Sequence, residues 1–124
     1  MKKAKDFQQI YLYRDPIDMR KQILGISRIV EDLMQQNPFD EGILYVFNNR
    51  KKDIIKALYF QGAGFCLWNR RLDQGKFPWP RKIADGQIKI NAADLDLVLD
   101  GVDVFKRHQK LDFDSLDWLK SLYS

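Results

Sequence analysis

The spacing of apolar residues changes along the chain, and each change marks a predicted element. Between Ile17 and Leu33 the apolar positions Ile17, Leu24, Ile26, Ile29, Val30 and Leu33 recur at helical intervals. Asp15 suits an N-cap, Pro16 the first helical position, and Asp18 adds a carboxylate near the positive end of the helix dipole. The pattern therefore predicts a helix starting at Pro16 and stopped by Asn37-Pro38. After Pro38 the period falls to two. "GILYVF" and "DIIKALYF" are short β-branched and aromatic runs joined by "NNRKK", and "QGAG" returns the chain into "FCLWNRRL". A three-stranded antiparallel meander is expected, with Cys66, Trp68, Arg70 and Leu72 on one face and Phe65, Leu67, Asn69 and Arg71 on the other. "IYLY" before the first helix and "GQIKIN" near the end read as further strands. "NAADLDLVLDGVDV" reads as a helix from an Asn91 cap to a Gly101 stop, burying Leu95, Val98 and Leu99.

These elements predict an α+β fold: a mainly antiparallel sheet of about four or five strands packed with an N-terminal and a C-terminal helix. A partly closed barrel is the alternative. With 124 residues, 45% of them hydrophobic and 31% charged, the chain has the size and composition of one folded domain. We place that domain at residues 1–103. The tail 104–124, with Phe113, Leu116, Trp118, Leu119 and Leu122, reads as a docking helix for this domain or for a partner. No apolar run has the length of a signal peptide core or a membrane span, so a cytoplasmic location and no membrane contact are expected.

Candidate chemistry is sparse. One cysteine, Cys66, and one histidine, His108, exclude a disulfide framework and leave little for a transition-metal site, so neither metal nor cofactor is expected. Cys66 lies in an apolar strand, where a thiol is usually packing, and His108 follows Lys106 and Arg107 as a surface residue would. Asp15 and Asp18 would serve as a carboxylate pair in an enzyme, but helix capping accounts for both. The chain has no glycine-rich phosphate loop and no nucleophile beside a base, so no catalytic residue is expected.

Charge changes the picture more. Residues 1–82 carry sixteen Lys and Arg against nine Asp and Glu, whereas 83–124 carry five against eight. The excess concentrates in one stretch, where Arg50, Lys51, Lys52, Lys56, Arg70, Arg71, Lys76, Arg81 and Lys82 face only Asp53 and Asp73. Within it lies "FCLWNRRLDQGKFPWPR", in which Pro78 and Pro80 hold Phe77 and Trp79 in extended geometry. Two readings fit: a solvated sheet face with charged turns, or a polyanion-binding surface in which cations meet phosphates and Trp79 stacks on a base. Arg20 and Lys21 lie off the helix stripe and are possible secondary contacts.

Ile10 to about Asp103 resembles the accessory protein called Orf2 or TnpB, encoded beside the transposase in a family of bacterial insertion sequences; it is distinct from the RNA-guided nuclease that shares the second label. The resemblance rests on "DMRK" followed by Gly25, "LYVFNNRKKD", "KALYFQGAGFCLW", "RRLDQGKFPWP" and "LDLVLDGVD", in that order over roughly three quarters of the chain. The tail from Val104 departs from the usual ending. The resemblance implies a role in DNA transposition without the strand-transfer chemistry, which belongs to a separate acidic-triad transposase. Together with the basic segment it points to DNA as a partner. The alternative is an adaptor that binds the transposase without touching DNA, anchored by the aromatic loop and the tail. An RNA partner is not distinguished by charge and stacking.

Overall fold

The computed structural model describes residues 3–81 and 86–105. Five strands form one sheet: β1 (Gln9–Tyr13), β2 (Ile43–Asn48), β3 (Ile54–Gln61), β4 (Gly64–Arg71) and β5 (Gln87–Ile90), in the order β4-β3-β2-β1-β5. The meander β2-β3-β4 is antiparallel, as the alternating pattern implied, and β5 pairs antiparallel with β1. The exception is β1 with β2, a parallel pair connected through helix α1 (Ile23–Asp32), since parallel neighbours need a crossover. The fold is therefore α+β with a mostly antiparallel sheet.

Alternation divides the sheet into two apolar faces. Ile10, Leu12, Leu44, Val46, Ile55, Ala57 and Tyr59 face helix α2 (Ala92–Leu99), the short turn Ala4–Asp6, and Phe77 and Trp79. Tyr13, Tyr45, Phe47 and Leu58 face α1 through Ile26, Val30 and Met34. Cys66 and Trp68 of β4 join the first face and Phe65 and Leu67 the second, the division read from the sequence. Asn91 caps α2 by accepting the backbone N–H of Asp94 at 2.7 Å, and Gly101 follows the helix at a φ of 86° that glycine adopts without strain. Val104 and Phe105, the first residues assigned to the tail, are buried in the core beside α2. The docking helix expected in 104–124, together with His108 and Lys82, otherwise lies outside the described residues.

Helix α1 corrects the sequence expectation at its start. It begins at Ile23 with Gln22 in the cap position, not at Pro16. Residues 14–22 instead form a strap across one end of the sheet, where Ile17 N–H donates to Asn48 O. The cause is Lys56, in the middle of β3 on the α1 face and only 5% exposed. A buried ammonium requires acceptors. The carbonyls of Met19 and Lys21, which a helix would commit to its own N–H groups, take the Lys56 Nζ at 2.7 and 3.0 Å. The intended caps have other uses: Asp15 pairs with Arg14, and Asp18 accepts from the Arg20 backbone and guanidinium. Those bonds from Arg20 pull the Asp18 carboxyl down to about 2. The helix also ends early, at Asp32, and Leu24 and Leu33, expected on the buried stripe, are exposed while Ile26, Ser27 and Val30 face the sheet.

Candidate functional site

The expected site residues separate into four groups. Arg50 and Lys52 stand on the β2–β3 connection, and Lys76 and Arg81 on the segment that follows β4. Their side chains line one cleft of about 290 Å³ together with Phe77, Pro78, Trp79, Gly101 and Asp103. A second cleft of about 250 Å³ shares Arg50, Lys52, Trp79 and Arg81 and continues to Arg14, Asp15, Pro16, Asn48, Asn49 and Pro80. None of Arg50, Lys52, Lys76 and Arg81 takes part in an ion pair or a side-chain hydrogen bond among the described residues, whereas Arg14 and Arg20 are paired with Asp15 and Asp18.

Two loops build this cleft, and side chains fix both. Asn49 Oδ1 accepts the backbone N–H groups of Asp53 and Ile54 at 3.1 Å, and its Nδ2 donates to Asp53 Oδ1 at 2.6 Å. The Asn49 amide holds the Asp53 carboxyl below the usual carboxylate range, aided by the charges of Arg71 and Lys51. The second loop is tied to the first where Phe77 N–H donates to Lys52 O at 2.7 Å. Lys52 has a φ of 60°, a left-handed conformation that an L side chain adopts at a cost. A charged residue stands where glycine would sit without strain. We expect Lys52→Gly to raise thermal stability by up to about 1 kcal/mol, the left-handed penalty removed, while weakening any anion bound in the cleft.

The second group is Arg70, Arg71 and Lys51. Arg70 and Arg71 are exposed at the end of β4 and, by alternation, point to opposite sides of the sheet; neither lines the cleft. Arg71 and Lys51 lie near enough to Asp53 to lower its pKa. The third group is Arg20 and Lys21 on the strap. Arg20 is bound to Asp18, and the carbonyl of Lys21 holds Lys56.

The fourth group, Lys56 and Trp79, is corrected. Lys56 is a buried tether of the strap and does not reach the surface. We expect Lys56→Met to cost about 1–3 kcal/mol in denaturant unfolding, since two strap carbonyls lose a charged donor. Trp79 is 6% exposed, packed in the α2-side core, with its Nε1–H donated to Tyr13 O at 2.9 Å. The bond to Tyr13 O and the core around it hold the indole inward, so it forms the floor of the cleft and offers no face for a base. Sequence reasoning missed Asn48 and Asn49. Asn48 is 1% exposed, lines the second cleft, and its Oδ1 has no hydrogen-bond partner among the described residues. The signal available was a polar pair ending an otherwise apolar strand.

The carboxylates named above as an enzyme's alternative are engaged elsewhere, Asp15 by Arg14 and Asp18 by Arg20. Among the described residues no group of three or more His, Cys, Asp or Glu is placed to hold a metal ion, and no helix is long and apolar enough to cross a membrane.

These features define a small α+β protein with a cationic cleft at one end of its sheet. The chain belongs to the IS66 Orf2-like family, whose model matches residues 8–109, and is thus an insertion-sequence accessory protein. It is 34% identical over 95 residues to y4hO, an uncharacterized protein of Sinorhizobium fredii (strain NBRC 101917 / NGR234), a match covering 77% of this chain and 81% of that one. A second uncharacterized protein of the same strain, y4jC, is 26% identical over 95 residues, covering 77% of this chain and 80% of its own. No solved structure matches the chain.

Proposed function

We propose that the protein serves transposition as a non-catalytic nucleic-acid-binding protein, with DNA held in the cleft between the β2–β3 connection and the segment after β4. The observation that carries this is the convergence of Arg50, Lys52, Lys76 and Arg81, all without partners among the described residues, on one concavity. Cations left unpaired at one place repel each other, and a polyanion relieves that repulsion while releasing its own counterions. Family membership supplies the context in which the polyanion is DNA. The non-catalytic part rests on the carboxylates: Asp15, Asp18 and Asp53 are engaged by Arg14, Arg20 and Asn49.

Anisotropy titration of the full chain with labelled DNA at several salt concentrations tests the reading. Binding should weaken linearly in log-log form as salt rises, and the same samples incubated with magnesium or manganese should contain intact DNA. Salt-independent binding, or cleavage that disappears on changing Asp15, Asp18 or Asp53 to Asn in a folded variant, would overturn it.

A transposase adaptor is the second reading. The exposed apolar side chains of Leu24, Leu33 and Phe39 favour it, Phe39 being 54% exposed while it packs against Phe60 and Phe65. Trp79 no longer supports it as an anchor, because the indole is buried. Association with the transposase that survives nuclease treatment and high salt is its distinguishing result.

A further inference from the structure

We infer that the cleft is a seat for single-stranded DNA, holding the strand by its phosphates and leaving its bases unread; this rests on the nucleic-acid reading above and narrows it. The two clefts share Arg50, Lys52, Trp79 and Arg81, so they are lobes of one groove running from Lys76 and Asp103 to Arg14 and Asn48. Lobes of about 290 and 250 Å³ admit pieces of one strand. A duplex fixes its phosphates at set spacing on a convex cylinder, so it presents fewer of them to a concavity between two loops than a flexible strand does. A flexible strand turns successive phosphates inward, where cations approach from both sides.

The remainder of the surface is poorly suited to reading a duplex. Major-groove recognition uses a helix or a free two-stranded ribbon. Helix α1 carries Arg28 against Glu31 and Asp32, and α2 carries Asp94 and Asp96 without a Lys or Arg. The β2–β3 hairpin lies inside the sheet, flanked by β1 and β4, and is not free to enter a groove. Phe77 and Trp79 are 1% and 6% exposed, so no ring face in the groove offers a base the stacking that usually adds to single-strand affinity. Phosphate contact remains, and it is indifferent to sequence.

The test is a titration of the full chain with labelled oligo-dT, oligo-dA, a mixed DNA strand, its duplex, and the RNA strand of the same sequence, each over a salt series. We expect the DNA strand to bind more tightly than the duplex by about tenfold or more, with a log-log salt slope between about −2 and −3, corresponding to three or four phosphates at roughly 0.7 each. Oligo-dT and oligo-dA should agree within about threefold, as binding without stacking or base contacts requires. Arg81→Ala should flatten the slope by about 0.7. Duplex binding as tight as or tighter than the strand overturns the single-strand seat and leaves the nucleic-acid reading standing. A large preference for one base overturns the unread-base assignment, and tighter RNA binding overturns DNA as the ligand. Absence of binding to every probe removes the nucleic-acid reading itself.

Discussion

Trp79→Ala should lower unfolding free energy by about 3–5 kcal/mol, the cost of truncating a buried indole, which is a large share of the roughly 5–15 kcal/mol that stabilises a domain. The indole lies in the core with Ile10, Leu12, Val46, Leu95 and Val98. Its Nε1–H also satisfies the carbonyl of Tyr13, 66 residues away in sequence, at 2.9 Å. Removing the ring opens a cavity and strands that carbonyl at the end of β1. Trp79→Phe separates the two losses: it keeps much of the ring volume and gives up the hydrogen bond, for about 1–3 kcal/mol. Denaturant midpoints with unchanged m-values measure both. If Trp79→Ala melts with the parent protein while DNA affinity falls without a change of salt slope, the indole is a stacking platform and the buried placement is wrong.

The same residue shows where sequence reading succeeds and where it stops. Alternation assigned Cys66 and Trp68 to one face and Phe65 and Leu67 to the other, because a strand has only two sides and the residues leave no third choice. The Asn91 cap and the Gly101 stop were legible because capping depends on a few adjacent residues. Trp79 sits in no regular element. Two prolines fix the extension of its backbone, but its direction is set by Tyr13 O and by core space that distant strands provide. The helix start failed for a related reason. Asp15-Pro16 is a sound local cap, yet Lys56, 35 to 37 residues away, competes for the carbonyls of Met19 and Lys21, and a buried ammonium outweighs capping. Charge density located the basic segment but not its geometry. Lys56 and Arg50 look alike in a charge count, and only pairing register separates a tether on the α1 face from an exposed residue at the cleft. The parallel β1–β2 pair was likewise invisible to a local pattern, since period two is common to both ladder types.

The double variant Arg50→Ala/Arg81→Ala should remain folded and lose most DNA binding. Both side chains are exposed and lack partners among the described residues, so their removal should change stability by no more than about 0.5 kcal/mol each, as for ordinary surface sites. Both line the two lobes of the groove, one from each loop, so their loss removes cations from both of its sides. The slope of log affinity against log salt should fall by about 1.4 for two single-strand phosphate contacts, or about 1.8 for duplex contacts. Arg70→Ala/Arg71→Ala removes the same formal charge and is the matched comparison. Those arginines point to opposite sides of β4 outside the groove, and Arg71 lies near Asp53. Their loss should reduce only long-range attraction, with a smaller decrease in affinity that vanishes at high salt. If the two variants weaken binding equally, net charge and not the groove attracts DNA. If only Arg70→Ala/Arg71→Ala abolishes binding, the contact lies at the end of β4. If neither changes DNA affinity while substitutions of Leu24, Leu33 and Phe39 abolish association with the transposase, the adaptor reading replaces the DNA-contact assignment, and the partnerless cations of the cleft are solvated charge.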